Sequence, residues 1–315
     1  MKKLLLTGYP GFLASAIKEW FEKNDWQVDT LGILPFPDGE SQSGSHIICN
    51  IAESVPDLPD VTYDMVIHAA GKAHVVPKTE AEKQAFYDIN VKGTEHVLSA
   101  LQKHPPCSLV FISSVAVYGV ETGENIAETA PLLAKTPYGE SKILAEKLIT
   151  DTAFSKDVIR GIVRLPLIAG PKAPGNLGSM FQAMRKGFFF NIGKGEARRS
   201  VILRSDVPPA LYLVATHGGI YNIIDGNDLS FAELADGIHK IAPYKRRPAL
   251  PRFIACLLAT AGEILQMIFR RSMPFNFKRY HQMTECLTFD GRKAQNELKF
   301  SPHPVLENLQ ELVKE

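Results

Sequence analysis

The sequence lacks an excess of charge: 35 Lys and Arg stand against 34 Asp and Glu, for a net +1 over 315 residues. Such a balance carries no strong overall pull toward nucleic acid or a membrane surface. It also lacks paired cysteines. Cys49, Cys107, Cys256 and Cys286 are far apart with no CxxC, which argues against a disulfide framework or a cysteine metal site. They are expected to be buried thiols in a reducing, cytoplasmic setting, and no metal site is expected. No repeat or low-complexity stretch is present. The N-terminal apolar run, Leu4 to Leu6 after Lys2 and Lys3, is too short for a signal segment and ends at Thr7-Gly8. It is expected to be a first buried strand.

Hydrophobic residues make up 45% of the chain, enough for a large core. Strand 2–7, the turn Gly8-Tyr9-Pro10-Gly11 and a helix to about Asn24 form a strand–glycine–helix unit. In that context Gly8 and Gly11 allow a pyrophosphate close to the backbone, and the helix N-terminus offers free N–H groups. Ala14 is small enough for close helix–strand packing. Further strands are expected at about 26–31, 46–51, 64–71, 109–114, 158–165 and 220–224. A long helix is expected over 80–103, with Val91, Thr94, Val97, Leu98 and Leu101 in helical spacing. Strands alternating with helices predict an α/β fold, a doubly wound parallel sheet. Asn90 within the long helix is either a surface position or a fixed hydrogen-bond donor. His68, ending a strand, reads as a packing residue rather than a catalyst.

Tyr138 and Lys142 stand four apart at the start of a helix and so share one face. A phenol, with an unperturbed pKa of about 10, is a poor proton carrier at neutral pH. A neighbouring ammonium favours the phenolate, which makes the pair suited to acid/base work on an alcohol or ketone. Ser113 and Ser114 end the strand 109–114 at the edge where such sheets bind ligands.

From Pro166 the texture becomes loop-rich. Basic residues Lys194, Arg198 and Arg199 read either as a solvated loop or as a diphosphate clamp. Helices are expected at about 205–216 and 230–241, and two short ones in the last 25 residues. Phe253 to Phe269, flanked by Arg252, Arg270 and Arg271, is the most apolar stretch. A packed helix is the first expectation for it and membrane association the second, with no integral span.

The ordered set Thr7–Ala14, His68–Gly71, Asn90–Thr94, Ser113–Gly119, Tyr138–Lys142 and Arg164–Pro171 resembles the extended short-chain dehydrogenase/reductase family, in its NAD-dependent nucleotide-sugar epimerase/dehydratase branch. The resemblance implies a Rossmann domain over 1–165. It implies a mainly substrate-binding C-terminal domain over 166–315, with the chain returning to the Rossmann part around 200–225. It implies catalysis by Ser114, Tyr138 and Lys142. NAD or NADP would lie against Gly8, Tyr9, Gly11, Phe12, Leu13, Asn50, Ile51, Ala69, Ala70, Gly71, Asn90, Tyr138, Lys142 and Pro166. Substrate would meet Ser114, Asn176 and Arg199. A UDP-sugar substrate and a homodimer, pairing helices 80–103 and 138–152 through Ile143, Leu144 and Leu148, follow from the same resemblance.

Departures from the family pattern narrow the chemistry. Gly32 stands about where a ribose-binding acid is common, and Asp29 lies earlier in that strand. Val115-Ala116 replace the Asp-Glu pair of 4,6-dehydratases, which counts against elimination of water. Pro166 stands where many 4-epimerases have Asn. Ala73-His74-Val75, Arg198-Arg199-Ser200 and Asp225 to Ser230 are similar to a bacterial group acting on UDP-N-acetylhexosamines and their 4-keto derivatives for surface polysaccharide. The expected activity is an NAD(P)-dependent 4-epimerase using hydride transfer at C4. The alternatives are a 4-ketoreductase and, in another class, a non-catalytic NAD(P)-binding regulator.

Overall fold

Leu4, Leu5 and Leu6 have no exposed surface at all, as a strand covered on both faces requires. They lie in β1 (Lys2–Thr7), which runs into α1 (Phe12–Lys23) and then β2 (Trp26–Gly32), β3 (His46–Ile48) and β4 (Met65–His68). Helices α2 (Glu80–Tyr87) and α3 (Gly93–Leu101) lead to β5 (Ser108–Ser114), then β6 (Gly123–Ile126) and α4 (Pro137–Asp151). The chain continues through β7 (Ile159–Leu165), β8 (Leu167–Ala169), α5 (Gly175–Arg185), β9 (Arg198–Arg199), β10 (Val201–Leu203), α6 (Val207–His217) and β11 (Gly219–Asn222). It ends with β12 (Leu229–Ser230), α7 (Phe231–Ile241), α8 (Arg252–Phe269), α9 (Phe277–Thr284), β13 (Leu287–Phe289), α10 (Arg292–Leu298) and α11 (Gln310–Val313). The computed structural model describes residues 1–243, 248–269, 273 and 275–313; the side chains of Asn176 and Val313 lie outside that description, as do Arg270 and Arg271.

Seven strands form one sheet in the order β11-β7-β5-β4-β1-β2-β3, with every pairing parallel. Strand order reverses between β1 and β4. The crevice beyond the carboxyl ends of those two strands is where such a sheet accepts a ligand. One face of the sheet packs on α1 and α6 through Ile17, Phe21, Leu211 and Val214, and the other on α3 and α4 through Val97, Leu101, Ala145 and Ile149. The expected α/β doubly wound architecture is what is found.

β11 and α6 rejoin this sheet after β8–β10, while β6 leaves it to join a four-stranded sheet, β12-β9-β13-β6. β8 and β10 form a separate parallel pair. A third core of Leu177, Met184, Leu203, Leu234, Ile238 and Leu309 underlies the C-terminal half.

Three expectations need correction. The helix predicted over 80–103 is interrupted by a π turn at Asp88–Lys92, and such widened turns redirect side chains. The cysteines are free, as expected, but none is buried: Cys107 is exposed and the other three are half-buried. The apolar stretch does form a helix, α8, but not a core one. Only Ala255, Ala259 and Gly262 are buried in it.

Candidate active site

The glycine turn after β1 is shaped by close approach. Gly8 has φ +88°, and a Cβ there would lie 2.8 Å from the Ala70 backbone. A Cβ on Gly11 would lie 2.7 Å from the Gly8 carbonyl oxygen. Gly8 and Tyr9 donate their amides to Leu31 O, so both are used by the fold. The first intrahelical bond of α1 is Ser15 N to Gly11 O. The amides of Phe12, Leu13 and Ala14 precede it, the free donors a helix start offers to a phosphate.

Across the crevice, Ala69, Ala70 and Gly71 follow β4. Ala70 N donates to Thr7 Oγ1, 3.0 Å away. His68 sits in a chain of hydrogen bonds, its Nδ1 2.7 Å from Thr7 Oγ1 and its Nε2 2.9 Å from Thr94 Oγ1. Thr94 Oγ1 donates its own proton to Asn90 O, so His68 Nε2 carries the hydrogen and Nδ1 accepts from Thr7. Burial, with the Lys142 charge adding to it, pushes the imidazole down to about 3. His68 is therefore a neutral packing and bonding residue, as the sequence suggests.

The π turn directs Asn90 inward. Its Oδ1 accepts from Lys72 N at 2.6 Å, and its Nδ2 donates to Lys72 O and to Ser141 Oγ. Of the two readings of Asn90, the fixed hydrogen-bonding one holds. It clamps the loop after β4 onto α4.

Helix α4 starts at an N-cap, Thr136, whose side chain accepts from Gly139 N, with Pro137 at its first position. This start fixes the direction of Tyr138 and Lys142. Lys142 Nζ donates to Ile112 O at 2.8 Å and lies 4.5 Å from the centre of the Phe111 ring. A Cβ placed on Gly71 would lie 3.2 Å from Lys142 Nζ and 3.1 Å from Asn90 Oδ1. Burial pushes the Lys142 ammonium down to about 8, with the Glu146 charge opposing. Tyr138 is half-buried against Phe86. Burial pushes its phenol above the ordinary value, and a hydrogen bond with Ser114 pulls it back. The expectation that Lys142 lowers this phenol is not met, because the ammonium is engaged with Ile112, Phe111 and the Gly71 loop. Ser114, at the end of β5, is oriented by accepting Ala116 N at 3.2 Å.

The structure thus gathers Gly8, Gly11, Ala70, Gly71, Asn90, Ser114, Tyr138 and Lys142 at the carboxyl ends of β1, β4 and β5. The pinched glycine cradle and the free α1 amides fit a dinucleotide, with Asn90 and Lys142 facing the loop it would rest on. Ile51 is buried beneath Gly93, while Asn50 is exposed and caps Ala52 N. The Tyr9 side chain is buried against Phe36 and bonded to Glu40, which leaves it a packing role. Phe12 lies under the Arg204 guanidinium, and Leu13 packs on the core. Pro166 is half-buried between β7 and β8. Asp29, the candidate ribose acid, accepts from Ser45 N and Tyr63 OH and is buried in the fold. Arg199 spends its guanidinium on the carbonyls of Arg198, Gln282 and Glu285, holding β9 to the end of α9.

One residue escaped the sequence reading. Glu146, four after Lys142 and eight after Tyr138, is buried on the same face of α4 and accepts from Ser113 Oγ at 2.5 Å. Its spacing was the available signal.

Comparison with known proteins agrees with this geometry. The model of the NAD dependent epimerase/dehydratase family matches residues 4–223. An Escherichia coli O157:H7 relative named N-acetyl-alpha-D-glucosaminyl-diphospho-ditrans,octacis-undecaprenol 4-epimerase is 27% identical over 71% of this chain and 70% of its own. A UDP-glucose 4-epimerase of Vibrio cholerae is 26% identical, over 74% of each chain. Among solved structures, a Bacillus cereus UDP-glucuronic acid 4-epimerase in complex with NAD superposes with a TM-score of 0.73 at 17% identity, over 98% of this chain and 94% of that one. The chain belongs to the NAD dependent epimerase/dehydratase family and is an NAD-dependent enzyme of the extended short-chain dehydrogenase/reductase type.

Proposed function

We propose that the protein interconverts the C4 epimers of a hexose carried on a diphosphate, a UDP-hexose or UDP-N-acetylhexosamine, for surface polysaccharide. The observation that carries this reading is the convergence of Ser114, Tyr138 and Lys142 at the end of β5, beside the glycine cradle. NAD, when bound, supplies the reversible two-electron oxidation of the sugar carbon. Tyr138 holds the proton of the C4 oxygen, taking it as the carbon is oxidised and returning it on the way back. Burial keeps this phenol protonated at neutral pH, so its turn as a base needs a nearby cation. Lys142, one helical turn on, meets that need only by leaving the Ile112 carbonyl to which it donates in the cofactor-free protein. Ser114 hydrogen-bonds the phenol and orients the reacting oxygen. Asn90 holds the loop after β4 where the cofactor would rest.

A polyprenyl carrier in place of the nucleotide is the second reading, favoured by the lipid-linked sugar in the name of the Escherichia coli relative. Two copies are proposed to pair through α4, where Leu144 is exposed; sedimentation as a monomer at micromolar concentration contradicts the pairing. The activity is tested by incubating purified protein with UDP-N-acetylhexosamines and UDP-hexoses. Interconversion of C4 epimers with no net change in reduced nicotinamide is expected, and Tyr138→Phe should lower turnover by about a hundredfold or more while keeping NAD bound. Stoichiometric consumption of NAD(P)H with a 4-keto sugar would replace the reading with a reductase. Binding without turnover would replace it with a regulator.

A further inference from the structure

Helix α8 is packed with its small side as the inside. Ala255, Ala259 and Gly262 repeat at helical spacing and are its only buried residues. A Cβ on Gly262 would come within 2.0 Å of Phe275 O, so this stripe is the face that meets the segment leading into α9. The opposite face carries Phe253, Leu257, Ile264, Met267 and Ile268, all exposed, with Leu258 at its flank; Leu257 is 65% and Met267 76% exposed. Gln266, on the buried side, turns toward Met273 N and Asn276, and Thr260, within the apolar face, spends its hydroxyl on Cys256 O. Amphipathic helices of soluble proteins normally bury the large side chains, and apolar patches of this kind mark interaction sites.

Charge identifies the occupant. From residue 244 to 284 the sequence holds eight Lys and Arg but a single acid, Glu263. That segment is +7 in a chain of net +1, so the remaining residues sum to −6. The basic residues bracket the apolar helix in sequence: Lys245, Arg246, Arg247 and Arg252 before or at its start, Arg270 and Arg271 at its end, Lys278 and Arg279 on α9. A large apolar face on a helix flanked in sequence by cationic residues matches a bilayer that has anionic headgroups above an acyl interior.

We propose that α8 docks this protein on an anionic lipid bilayer, lying in the plane of the interface. Crossing is excluded by how its ends are tied. Leu250, just before it, exchanges backbone hydrogen bonds with Asn191 and Gly193. Phe275, just after it, returns against its middle at Gly262. Both ends belong to one globular body on one side. Arg199 bonds the end of α9, so the docking face is joined to the half of the chain expected to hold the sugar.

The test is co-sedimentation of the full chain, with NAD present, with phosphatidylcholine vesicles with and without phosphatidylglycerol. Wild type should bind the anionic vesicles, and release as salt rises. The double variant Leu257→Glu/Ile268→Glu should bind about tenfold more weakly or less. Both positions are exposed, so its thermal melt should match wild type, and any turnover on a soluble UDP-sugar should be unchanged; docking and the epimerase reading therefore fail separately. Equal partition of wild type and variant, or binding of neither, overturns the proposal. So does a vesicle-free dimer that the variant dissociates, since a second copy would then cover the face. Retention in the membrane after alkaline carbonate would mean that α8 crosses, which overturns the interfacial placement.

Discussion

Glu146 and Arg164 are joined by two parallel hydrogen bonds beneath the Tyr138 helix. Arg164 Nε donates to Glu146 Oε1 at 3.0 Å and Nη2 to Oε2 at 2.7 Å. Both residues are buried. The remaining capacity of each is also met: Ser113 donates to the carboxylate, and Arg164 Nη1 donates to Tyr118 OH and Glu128 O. The pair locks α4 to β5 and β7, and with it the direction of Lys142 one turn earlier. A planar guanidinium is the side chain suited to this two-pronged contact.

Arg164→Met should therefore be costly. It strands the Glu146 carboxylate in the core, and breaking one side of a buried pair typically costs about 3–5 kcal/mol. Urea unfolding at pH 7 reads the loss. A cost below about 1 kcal/mol would show that the pair contributes little beyond its packing volume. Glu146→Gln should be milder, because the amide still accepts one guanidinium bond.

The sheet was legible because buried parallel strands are continuous apolar runs, and the motifs fall at its carboxyl edge where the chain reverses. Tyr138 and Lys142 were legible by helical spacing, and Glu146 continued the same spacing without being read. Other features leave no local trace. β9 and β12 are two residues each, too short for a period of two to register. β6 pairs with β13 across half the length of the chain, with Asn125 N bonded to Thr288 Oγ1 at a separation of 163 residues. The apolar composition of α8 was plain, but composition does not tell which neighbour, if any, covers a helix. Its small-residue stripe became meaningful only with Phe275 against Gly262.

Lys142→Met should stabilise the cofactor-free protein while abolishing activity. Burial depresses the Lys142 pKa to about 8 in the fold, against about 10.4 when unfolded. Between those values the unfolded chain binds more protons than the native one, so the penalty of the buried ammonium relaxes as pH rises through that window. Below about 8 the penalty is fully present, of the order of 3 kcal/mol from the two values. Melting temperatures across about pH 7 to 10 should show Met ahead of Lys at the low end and the gap closing at the high end. A lower melting temperature for the Met variant at pH 7 would mean that the ammonium is stabilising, contrary to this account.

Gly32 is the position at which a ribose-binding acid would be sought, and restoring one should harm rather than help. Gly32 ends β2, and a Cβ there would lie 1.8 Å from Tyr9 O. Under 3 Å from backbone oxygen, the glycine turn itself would have to move. That turn is tied to the same strand end, since Gly8 N and Tyr9 N both donate to Leu31 O. Gly32→Asp should therefore displace the Gly8–Gly11 cradle. Overpacking of this kind costs about 1–3 kcal/mol, and NAD affinity should fall by about tenfold for each 1.4 kcal/mol by which the cradle is disturbed. Gly32→Ala separates sterics from chemistry. If the cradle is the cause, Ala and Asp weaken NAD binding alike in a fluorescence titration. An Asp variant that binds NAD more tightly than wild type would show that the turn yields and that the missing carboxylate, not the packing of Tyr9 against Gly32, is what limits the site.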